Sequence, residues 1–346
     1  MGDIMKPGSR NLITDVPGIR VGNASDYTLR SGTTVLSSDK NMTASYQVMG
    51  GSPGTKDTDL LEPDKLVKKI DALVLSGGSA FGLDACSGVM DVLLKEGKGF
   101  QTRTGSVIPI VPGAIIFDLY AAQQESWEEN PYRSLGRRAY EALSEDFEIG
   151  NVGGGTGALT GSLKGGLGSA SVVLANGITV GALVVSNPLG SVVTNGDKHF
   201  WASPFEMNGE FGNLGVDTNY EKTISDYLIS RKAKLPSFTM ENSSTLDNTT
   251  IAIVATDADI TKAECKRVAT VAHDGIARAI YPSHTQADGD LIFCVSTNKR
   301  DLTDPIIDTL EIGVAASNCL TRAIARSVYN AKAHKNDLLP TWENYN

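Results

Sequence analysis

The sequence has little cysteine and no long apolar run. Its four cysteines stand far apart without CxxC spacing, so we expect buried free thiols in a cytoplasmic protein: Cys86, Cys265, Cys294 and Cys319. No apolar stretch approaches the ~18 residues that a membrane helix needs. Residues 1–18 lack the apolar core of a secretory signal. These absences argue against a membrane partner and against a fold that depends on disulfides.

Basic residues are outnumbered, and metal-ligand spacing is missing. The 31 Lys and Arg residues face 40 Asp and Glu residues, and the net charge of −9 disfavours nucleic acid as a partner. No GxGxxG or GK[ST] motif supports nucleotide binding. The four histidines show no spacing typical of zinc sites; they are His199, His273, His284 and His334. We therefore expect neither a metal nor a cofactor.

Glycine, by contrast, is abundant. The 36 glycines cluster without a repeat period in three stretches, at residues 49–55, 75–82 and 150–171. Glycine permits positive φ and lets the backbone approach a ligand closely. The three stretches therefore predict tight loops that line a site.

Apolar periodicity predicts a mixture of helices and strands. The predicted helices cover 80–96, 134–145, 219–233, a segment from about 261, and 304–331. The predicted strands cover 71–79, 107–119, two runs within 169–190, 250–256 and 290–297. A capping box of Thr261 and Glu264 begins one helix, and Asn176–Gly177 joins two strands as a hairpin. Residues 234–248 predict an exposed linker. Frequent hairpins argue against a purely parallel, doubly wound sheet.

The stretch LSGGSAFG is one residue away from the GxSxG nucleophile elbow of α/β-hydrolases, with Phe81 where the last glycine belongs. In that interpretation Ser79 is the nucleophile, with a later acid and either His273 or His284 as partners. A glycine-rich turn before a helix explains the same residues.

Two acids and one amide stand at the ends of predicted strands. Asp288 and Asp290 precede the strand at 290–297. They form either a plain turn or a pair that orients an amine and accepts a proton. Asn187 ends an apolar strand, either as a turn residue or as a donor to a developing oxyanion.

Seven blocks follow one another along nearly the whole chain. They are ITDVPGIRVGNASD (13–26), GGSPGTKDTDLL (50–61), ALVLSGGSAFGLDA (72–85), VPGAIIFDL (111–119), GGGTGALTGSLKGGLGSAS (153–171), VGALVVSNPLG (180–190) and NTTIAIVATDADITKAE (248–264). Together they resemble the L-aminopeptidase/D-esterase family of self-cleaving hydrolases, also called the P1 family, which includes β-aminopeptidases and nylon-oligomer hydrolases. The resemblance implies a four-layer α-β-β-α sandwich of the α/β class, laid out like the N-terminal-nucleophile hydrolases. It also implies one domain, 1–346, that cuts itself into an α subunit, 1–248, and a β subunit, 249–346.

By this resemblance the cut falls between Asn248 and Thr249. Thr249 Oγ1 attacks the Asn248 carbonyl, the acyl group shifts from nitrogen to oxygen, and water releases it. Thr249 then carries a free α-amine, with an ordinary pKa of ~7.7–8.0, which serves as its own base. The NTT stretch also fits a glycosylation sequon, and it fits the plain start of a strand.

The resemblance assigns further roles by position. Asp288 and Asp290 hold the amine and hydroxyl of the nucleophile, and Asn187 contributes to the oxyanion hole. Related enzymes often have a Lys two residues before Lys164, where this chain has Ser162. Either Lys164 or Ser162 therefore takes the orienting role.

Three functions follow from these patterns. The first is an amidohydrolase of small peptides, amino-acid amides or ω-amino-acid oligomers, in which Asp118 binds the α-amine of an aminopeptidase substrate. A Thr nucleophile with two Asp resembles the branch that hydrolyses 6-aminohexanoate (nylon) oligomers. The second is an acyltransferase similar to ornithine acetyltransferases, and the third is an uncleaved binding protein. The resemblance also implies that the two fragments stay associated and that the αβ units form a homo-oligomer, a tetramer.

Overall fold

The computed structural model describes residues 5–119, 127–194, 197–218, 248–335 and 337–345. The strands are β1 (Lys6–Pro7), β2 (Ile19–Asp26), β3 (Ser31–Val48), β4 (Thr55–Lys56), β5 (Lys69–Ser76), β6 (Phe100–Gln101), β7 (Val107–Ile108), β8 (Gly113–Ile115), β9 (Gly166–Val173), β10 (Thr179–Asn187), β11 (Thr249–Ala258) and β12 (Leu291–Arg300). The helices are α1 (Ser79–Gly82), α2 (Asp84–Lys95), α3 (Tyr132–Glu141), α4 (Lys262–Ala279) and α5 (Pro305–Tyr329).

One continuous ladder of strands runs through the described residues. Its order is β1-β9-β10-β11-β12-β3-β5-β8-β4, and β2 pairs with β3 beside it. Most pairs are antiparallel, and β11/β12 and β5/β8 are parallel. The long strand β3 belongs to both halves of the ladder. Its residues 43–48 pair with β12, whereas its residues 31–38 pair with β2.

Three buried apolar clusters separate four layers. The first lies between α4, α5 and strands β9–β12 and includes Val254. The second lies between the two halves of the ladder and includes Ile253. The third lies between β3, β5 and helices α2 and α3 and includes Val74. Because β11 is covered on both faces, its sequence is almost continuously apolar. The predicted α-β-β-α sandwich is therefore confirmed.

Local sequence signals placed several elements correctly. Gly177 has φ +82 in the turn between β9 and β10, where Val173 pairs with Thr179. The Thr261 side chain accepts from the Glu264 N–H at the start of α4, so the capping box is confirmed. All four cysteines are buried and free, as expected.

Other elements differ from the prediction. The helix predicted at 80–96 is two helices, α1 and α2, because the chain turns tightly there. A Cβ on Gly82 would lie 1.8 Å from the Gly77 carbonyl oxygen. The helix predicted at 134–145 is α3, and the segment 107–119 forms only the short strands β7 and β8. The helix predicted at 219–233 and nearly all of the linker predicted at 234–248 lie outside the described residues.

The strand β3 was not predicted, because its 18 residues include many hydroxyl and polar side chains. Several of these are buried and bond to one another across strands. Thr33 Oγ1 lies 2.8 Å from Ser76 Oγ of β5, for example. No helix among those described is long and apolar enough to cross a membrane.

Candidate active site

Most of the residues that the resemblance singled out converge at one end of three adjacent strands. Thr249 is the first residue of β11 and pairs with Asn187, the last residue of β10. Asn248 forms an isolated parallel bridge with Asp288, just before β12. The side chains of Thr249 and Asp288 are buried, with exposures of 4% and 0%. Neighbours on both sides of β11 therefore fix the position of Thr249.

The peptide bond before Thr249 has two donors on its carbonyl oxygen. The Thr249 hydroxyl donates to the Asn248 carbonyl oxygen at 2.5 Å, and the Gly289 N–H donates to the same oxygen at 2.8 Å. A donor on a carbonyl oxygen stabilises the charge that develops there during nucleophilic attack. The geometry suits attack on this bond by its own hydroxyl.

Gly289 is a site residue that the sequence analysis missed. A Cβ at this position would lie 2.7 Å from Thr249 Oγ1 and 2.5 Å from the Ser52 carbonyl oxygen. Only glycine therefore lets the backbone reach the scissile carbonyl. The available signal is Gly289 itself, between the two acids in ADGD, although an Asp-Gly pair is also typical of a plain turn.

The carboxylate of Asp290 holds the backbone beside Thr249. Its Oδ1 accepts from the Thr250 N–H at 2.8 Å. Its Oδ2 accepts from the His284 backbone N–H at 3.1 Å and contacts His284 Nδ1 at 2.7 Å. This carboxylate is thus fixed one peptide unit away from the nucleophile.

The carboxylate of Asp288 is also fully engaged. Its Oδ1 accepts from the Leu189 N–H at 3.0 Å, and its Oδ2 accepts from the backbone and hydroxyl of Thr285 at 3.0 and 2.5 Å. In the uncleaved chain, no hydrogen bond between described atoms joins Asp288 or Asp290 to Thr249. Their predicted contact with the amine and hydroxyl of the nucleophile remains a prediction about the cleaved chain.

The titratable groups near Thr249 have shifted pKa values. Burial, and then the charge of Asp290, raise the pKa of Asp288 above its ordinary value. Burial opposes protonation of His284, but the hydrogen bond and charge of Asp290 outweigh it and raise the pKa of His284. Burial lowers the pKa of His273 to about 4, against the hydrogen bond to the Gln47 carbonyl. Such shifts are typical of functional sites.

The side-chain amide of Asn187 forms hydrogen bonds to the backbone of two loops. Its Oδ1 accepts from the Leu159 N–H at 2.9 Å, and its Nδ2 donates to the Phe117 carbonyl at 3.0 Å. Asn187 is fully buried and directly opposite Thr249 in the strand register. The structure places Asn187 beside Thr249, and its role in an oxyanion hole stays a prediction.

A cavity of about 190 Å³ opens onto the Asn248–Thr249 bond. It is lined by residues 52–54, by Ser79 and Leu83, and by Phe117, and no charged side chain is among its described lining residues. Ser79 has φ +50, an uncommon conformation for a residue other than glycine. The glycine-rich stretches at 49–55 and 75–82 therefore line the site, as predicted.

A neighbouring cavity of about 70 Å³ contains the other predicted residues. Asp118 and Lys164 both line it. Asp118 Oδ1 accepts from the Gly78 N–H at 2.7 Å, and Lys164 Nζ donates to Asp337 Oδ1 at 2.5 Å. Asp118 and Lys164 are thus brought together, in a cavity next to Thr249 rather than in the one that contains it.

Ser162, the alternative to Lys164, takes no part in that cavity wall. Its hydroxyl lies 2.9 Å from the Ser191 hydroxyl. Of the two candidates, Lys164 lines this cavity and Ser162 does not, and the orienting role of either residue stays a prediction.

The α/β-hydrolase interpretation is wrong. His273 lies within α4, where its Nε2 contacts the Gln47 carbonyl, and the His284 ring contacts Asp290. Among the described contacts, neither imidazole is joined to Ser79. The four-layer fold also differs from the mainly parallel sheet that such a triad needs.

One group of potential metal ligands was not predicted. Single ligand atoms of Asp197, His199 and Asp217 lie within 4.8 Å of one another. His199 Nδ1 already lies 3.1 Å from an Asp197 carboxylate oxygen, and that carboxylate is half-exposed. An exposed ion pair explains this arrangement, so we assign no metal to it.

Comparison with known proteins agrees with this geometry. A profile of peptidase family S58 matches residues 11–337. An uncharacterized aminopeptidase of Mycobacterium tuberculosis (strain ATCC 25618 / H37Rv) is 38% identical over 340 residues, which cover 93% of this chain and 94% of that protein. The 6-aminohexanoate-oligomer endohydrolase of Paenarthrobacter ureafaciens is 27% identical over 311 residues, with coverage of 87% and 79%.

A solved structure supports the fold. The L-aminopeptidase D-Ala-esterase/amidase of Ochrobactrum anthropi, described as a variant of the Ntn-hydrolase fold, matches with a TM-score of 0.66 and 19% identity. The match covers 98% of this chain and 91% of that one. The P1-family resemblance is thereby confirmed, and the protein is a hydrolase that acts on C–N bonds. The chain belongs to peptidase family S58.

Proposed function

We propose that the protein is a self-processing amidohydrolase that cleaves small peptides, amino-acid amides or ω-amino-acid oligomers through an N-terminal threonine. One observation carries the proposal. The Thr249 hydroxyl and the Gly289 N–H both reach the Asn248 carbonyl oxygen, at 2.5 and 2.8 Å. A hydroxyl beside the carbonyl that it must attack, with a donor already on the oxygen, is what acyl transfer requires.

The self-processing step is an N-to-O acyl shift. Thr249 Oγ1 adds to the Asn248 carbonyl carbon, and the Gly289 N–H stabilises the negative charge on the carbonyl oxygen. The C–N bond then breaks, the Thr249 nitrogen takes up the proton that the hydroxyl lost, and Asn248 becomes an ester of Thr249. Water hydrolyses this ester and leaves a carboxylate on Asn248 and a free α-amine on Thr249.

The mature enzyme repeats this chemistry on a substrate. The Thr249 α-amine accepts the hydroxyl proton, the oxygen attacks the substrate carbonyl, and the amine portion leaves with that proton. Water then hydrolyses the acyl-ester. Asp288 and Asp290 orient the α-amine, and Asn187 donates to the oxyanion. These roles are supported by the positions of the three residues, which all lie near Thr249 at one end of β10, β11 and β12.

The two cavities favour a small, extended substrate. The cavity at Thr249 has an uncharged lining, which suits a methylene-rich acyl chain, whereas Asp118 and Lys164 next to it suit charged ends. The oligomer endohydrolase relative acts, by its name, on 6-aminohexanoate chains. The enzyme is therefore either an aminopeptidase or an oligomer hydrolase. In an aminopeptidase, the α-amine of the substrate would bind Asp118.

A substrate panel separates the branches. Amino-acid p-nitroanilides, β-alanine dipeptides, 6-aminohexanoate oligomers and folded casein are compared. Hydrolysis of p-nitroanilides or β-dipeptides, with loss on Asp118→Asn, identifies an aminopeptidase. Cleavage of aminohexanoate oligomers alone, with little effect of Asp118→Asn, identifies the oligomer branch. Preferential digestion of casein would contradict the small-substrate proposal.

Self-processing is tested by mass. The chain of 36.6 kDa should give fragments of about 26.2 and 10.4 kDa, scaled by residue count, with the smaller one beginning at Thr249. Thr249→Ala should stay whole, and Thr249→Ser, which keeps a hydroxyl, should still be cut. A wild-type chain that stays whole yet hydrolyses amides would contradict the mechanism. An uncut and inactive chain would support the binding-protein alternative.

Assembly of αβ units into a homo-oligomer, a tetramer, is part of the proposal. Its support is an exposed apolar strip on α5 formed by Ile306, Leu310 and Val314, beside a groove shared with α4. Light scattering should give the mass of several αβ units, and Leu310→Glu should reduce it.

We also propose a cytoplasmic location on the ground of the buried free thiols, testable by cell fractionation.

A further inference from the structure

The two acids beside Thr249 present an electrostatic problem. Asp288 and Asp290 have exposures of 0% and 1%, and they lie two residues apart on one loop. Buried carboxylates of like charge resist ionisation unless donors or cations compensate them. Backbone N–H groups donate to both acids, and the Thr285 hydroxyl donates to Asp288. Among the described contacts, the one basic side chain bonded to either acid is His284.

The position of His284 is specific. Its backbone N–H and its Nδ1 both contact the same oxygen, Oδ2 of Asp290, at 3.1 and 2.7 Å. Its φ of +54 is uncommon for a residue with a side chain, and such strain concentrates at functional sites. Its ring packs edge-on against His273, with 4.9 Å between the ring centroids.

We propose that His284 is a positioning residue whose imidazolium pairs with the carboxylate of Asp290 and aims its other oxygen, Oδ1, at the backbone beside Thr249. The proposal rests on the function proposed above, since it gives Asp290 a role in orienting the nucleophile. His284 does not touch Thr249 among the described contacts. It acts through Asp290, which holds the Thr250 N–H at 2.8 Å.

The surrounding groups support a charged His284. The carboxylates of Asp290 and Asp288 both favour its protonation, and the His273 backbone adds to them. His273 and Asp274 come from α4. The pKa of His273 is lowered to about 4, so this neighbour is neutral above that pH and does not repel the imidazolium. The raised pKa of His284 agrees with the geometry.

The proposal predicts the direction in which the pH dependence of kcat/KM should shift when His284 is replaced. Removing the positive charge of His284 leaves the acids beside Thr249 without a cation, so that protonation near the nucleophile becomes easier and persists to a higher pH. The acid limb of kcat/KM should therefore move to higher pH. A merely structural role would lower activity by the same factor at every pH.

The test uses His284→Asn. Asparagine tolerates positive φ and keeps an N–H donor near Nδ1, but it carries no charge. We expect kcat/KM to fall on the order of tenfold on the acid limb, equal to about one pKa unit, with little change above pH 8. His199→Asn, which removes a histidine from the Asp197 ion pair, is the matched control. A uniform loss, or an unmoved acid limb, would overturn the proposal.

A second measurement needs no activity. In the uncleaved Thr249→Ala chain, NMR titration of the His284 imidazole should give a pKa above the ordinary ~6.5. A value at or below that would overturn the proposal even if His284→Asn failed to fold. The two hypotheses fail differently, because an uncut wild-type chain contradicts self-processing while this titration still decides the state of His284.

Discussion

Two buried charged clusters of this protein are built in opposite ways. Around Arg322 of α5, which is fully buried, the charges neutralise each other. Its guanidinium donates to both Glu210 oxygens, at 2.5 and 3.0 Å, to Asn11 Oδ1 at 2.7 Å and to the Ser171 carbonyl at 3.1 Å. Around Asp288 and Asp290, by contrast, carboxylates of one sign accept from backbone N–H groups and one hydroxyl and contact a single histidine.

This difference distinguishes the cluster around Arg322, which stabilises the fold, from the cluster around Asp288 and Asp290, which lies at the site of the chemistry. A cation paired with an anion has little reason to change protonation, so the Arg322 cluster ties α5 to the Asn11 and Glu210 loops. Burial, and then the charge of the neighbouring Asp290, destabilise the ionised form of Asp288, which is why its pKa is raised. Groups in such an environment are ready to bind a cation or move a proton. The newly freed α-amine of Thr249 would supply the missing positive charge.

The largest expected effect is on stability, from Arg322→Leu. It leaves Glu210 buried without its main partner, and breaking a buried pair costs about 3–5 kcal/mol of unfolding free energy. Urea denaturation of the Thr249→Ala chain measures this without interference from self-cleavage. A cost below about 1 kcal/mol would mean that the pair adds nothing. Folded molecules of an otherwise wild-type Arg322→Leu chain should still cut themselves.

The acids should show the reverse pattern. Asp288→Asn and Asp290→Asn should each lower kcat on the order of 10²-fold, about 2.7 kcal/mol in activation free energy, with a smaller loss of unfolding free energy than Arg322→Leu, because the amide NH2 would face backbone N–H donors. The physical reason is that an amide fills the same space but cannot hold the ammonium form of the Thr249 amine. Full activity in both variants would make the ADGD segment a simple turn.

Much of the fold and of the site was predictable, but some features follow from local sequence patterns and others only from the resemblance to a family. The capping box at Thr261 and the hairpin at Gly177 follow from local chemistry within a few residues. The pairing of Asn187 with Thr249 joins residues far apart in sequence, and only the ordered family blocks placed them together. Local patterns contain no information on such contacts.

The unpredicted parts are those in which a side chain acts against its usual preference. Ser31 and Thr33 of β3 are polar yet buried, because hydroxyls from neighbouring elements bond to them. Gly289 matters through its N–H and through the absence of a Cβ, but a glycine after an aspartate is also ordinary turn chemistry, so its type alone does not reveal its role. The sequence offers His284 only as a partner of Ser79, and its contact with Asp290 follows from the three-dimensional structure alone.

Gly289→Ala should slow self-cleavage on the order of tenfold or more, because a shift of the loop weakens the N–H donor on the scissile carbonyl. The added Cβ would meet Thr249 Oγ1 at 2.7 Å and the Ser52 carbonyl oxygen at 2.5 Å, and at least one of these contacts must give way. Gly313→Ala is the control, since its Cβ meets Val271 at an ordinary 3.4 Å. The rate is measured by the decay of the full-length band after refolding. Equal rates in both variants would show that the Gly289 N–H does not assist the cut.

The smallest expected effect comes from Ser79→Ala, in the wall of the cavity at Thr249. In the part of the chain described, the Ser79 hydroxyl has no hydrogen-bond partner, and it lines the cavity at Thr249. We expect it to bond the substrate before and during reaction, so KM should rise several-fold, at about 0.5–1.5 kcal/mol for one hydrogen bond, while kcat stays nearly the same. Ser52→Ala is the matched control, because that hydroxyl already donates to the Gln286 carbonyl. A fall in kcat at constant KM would instead place Ser79 among the groups that stabilise the transition state.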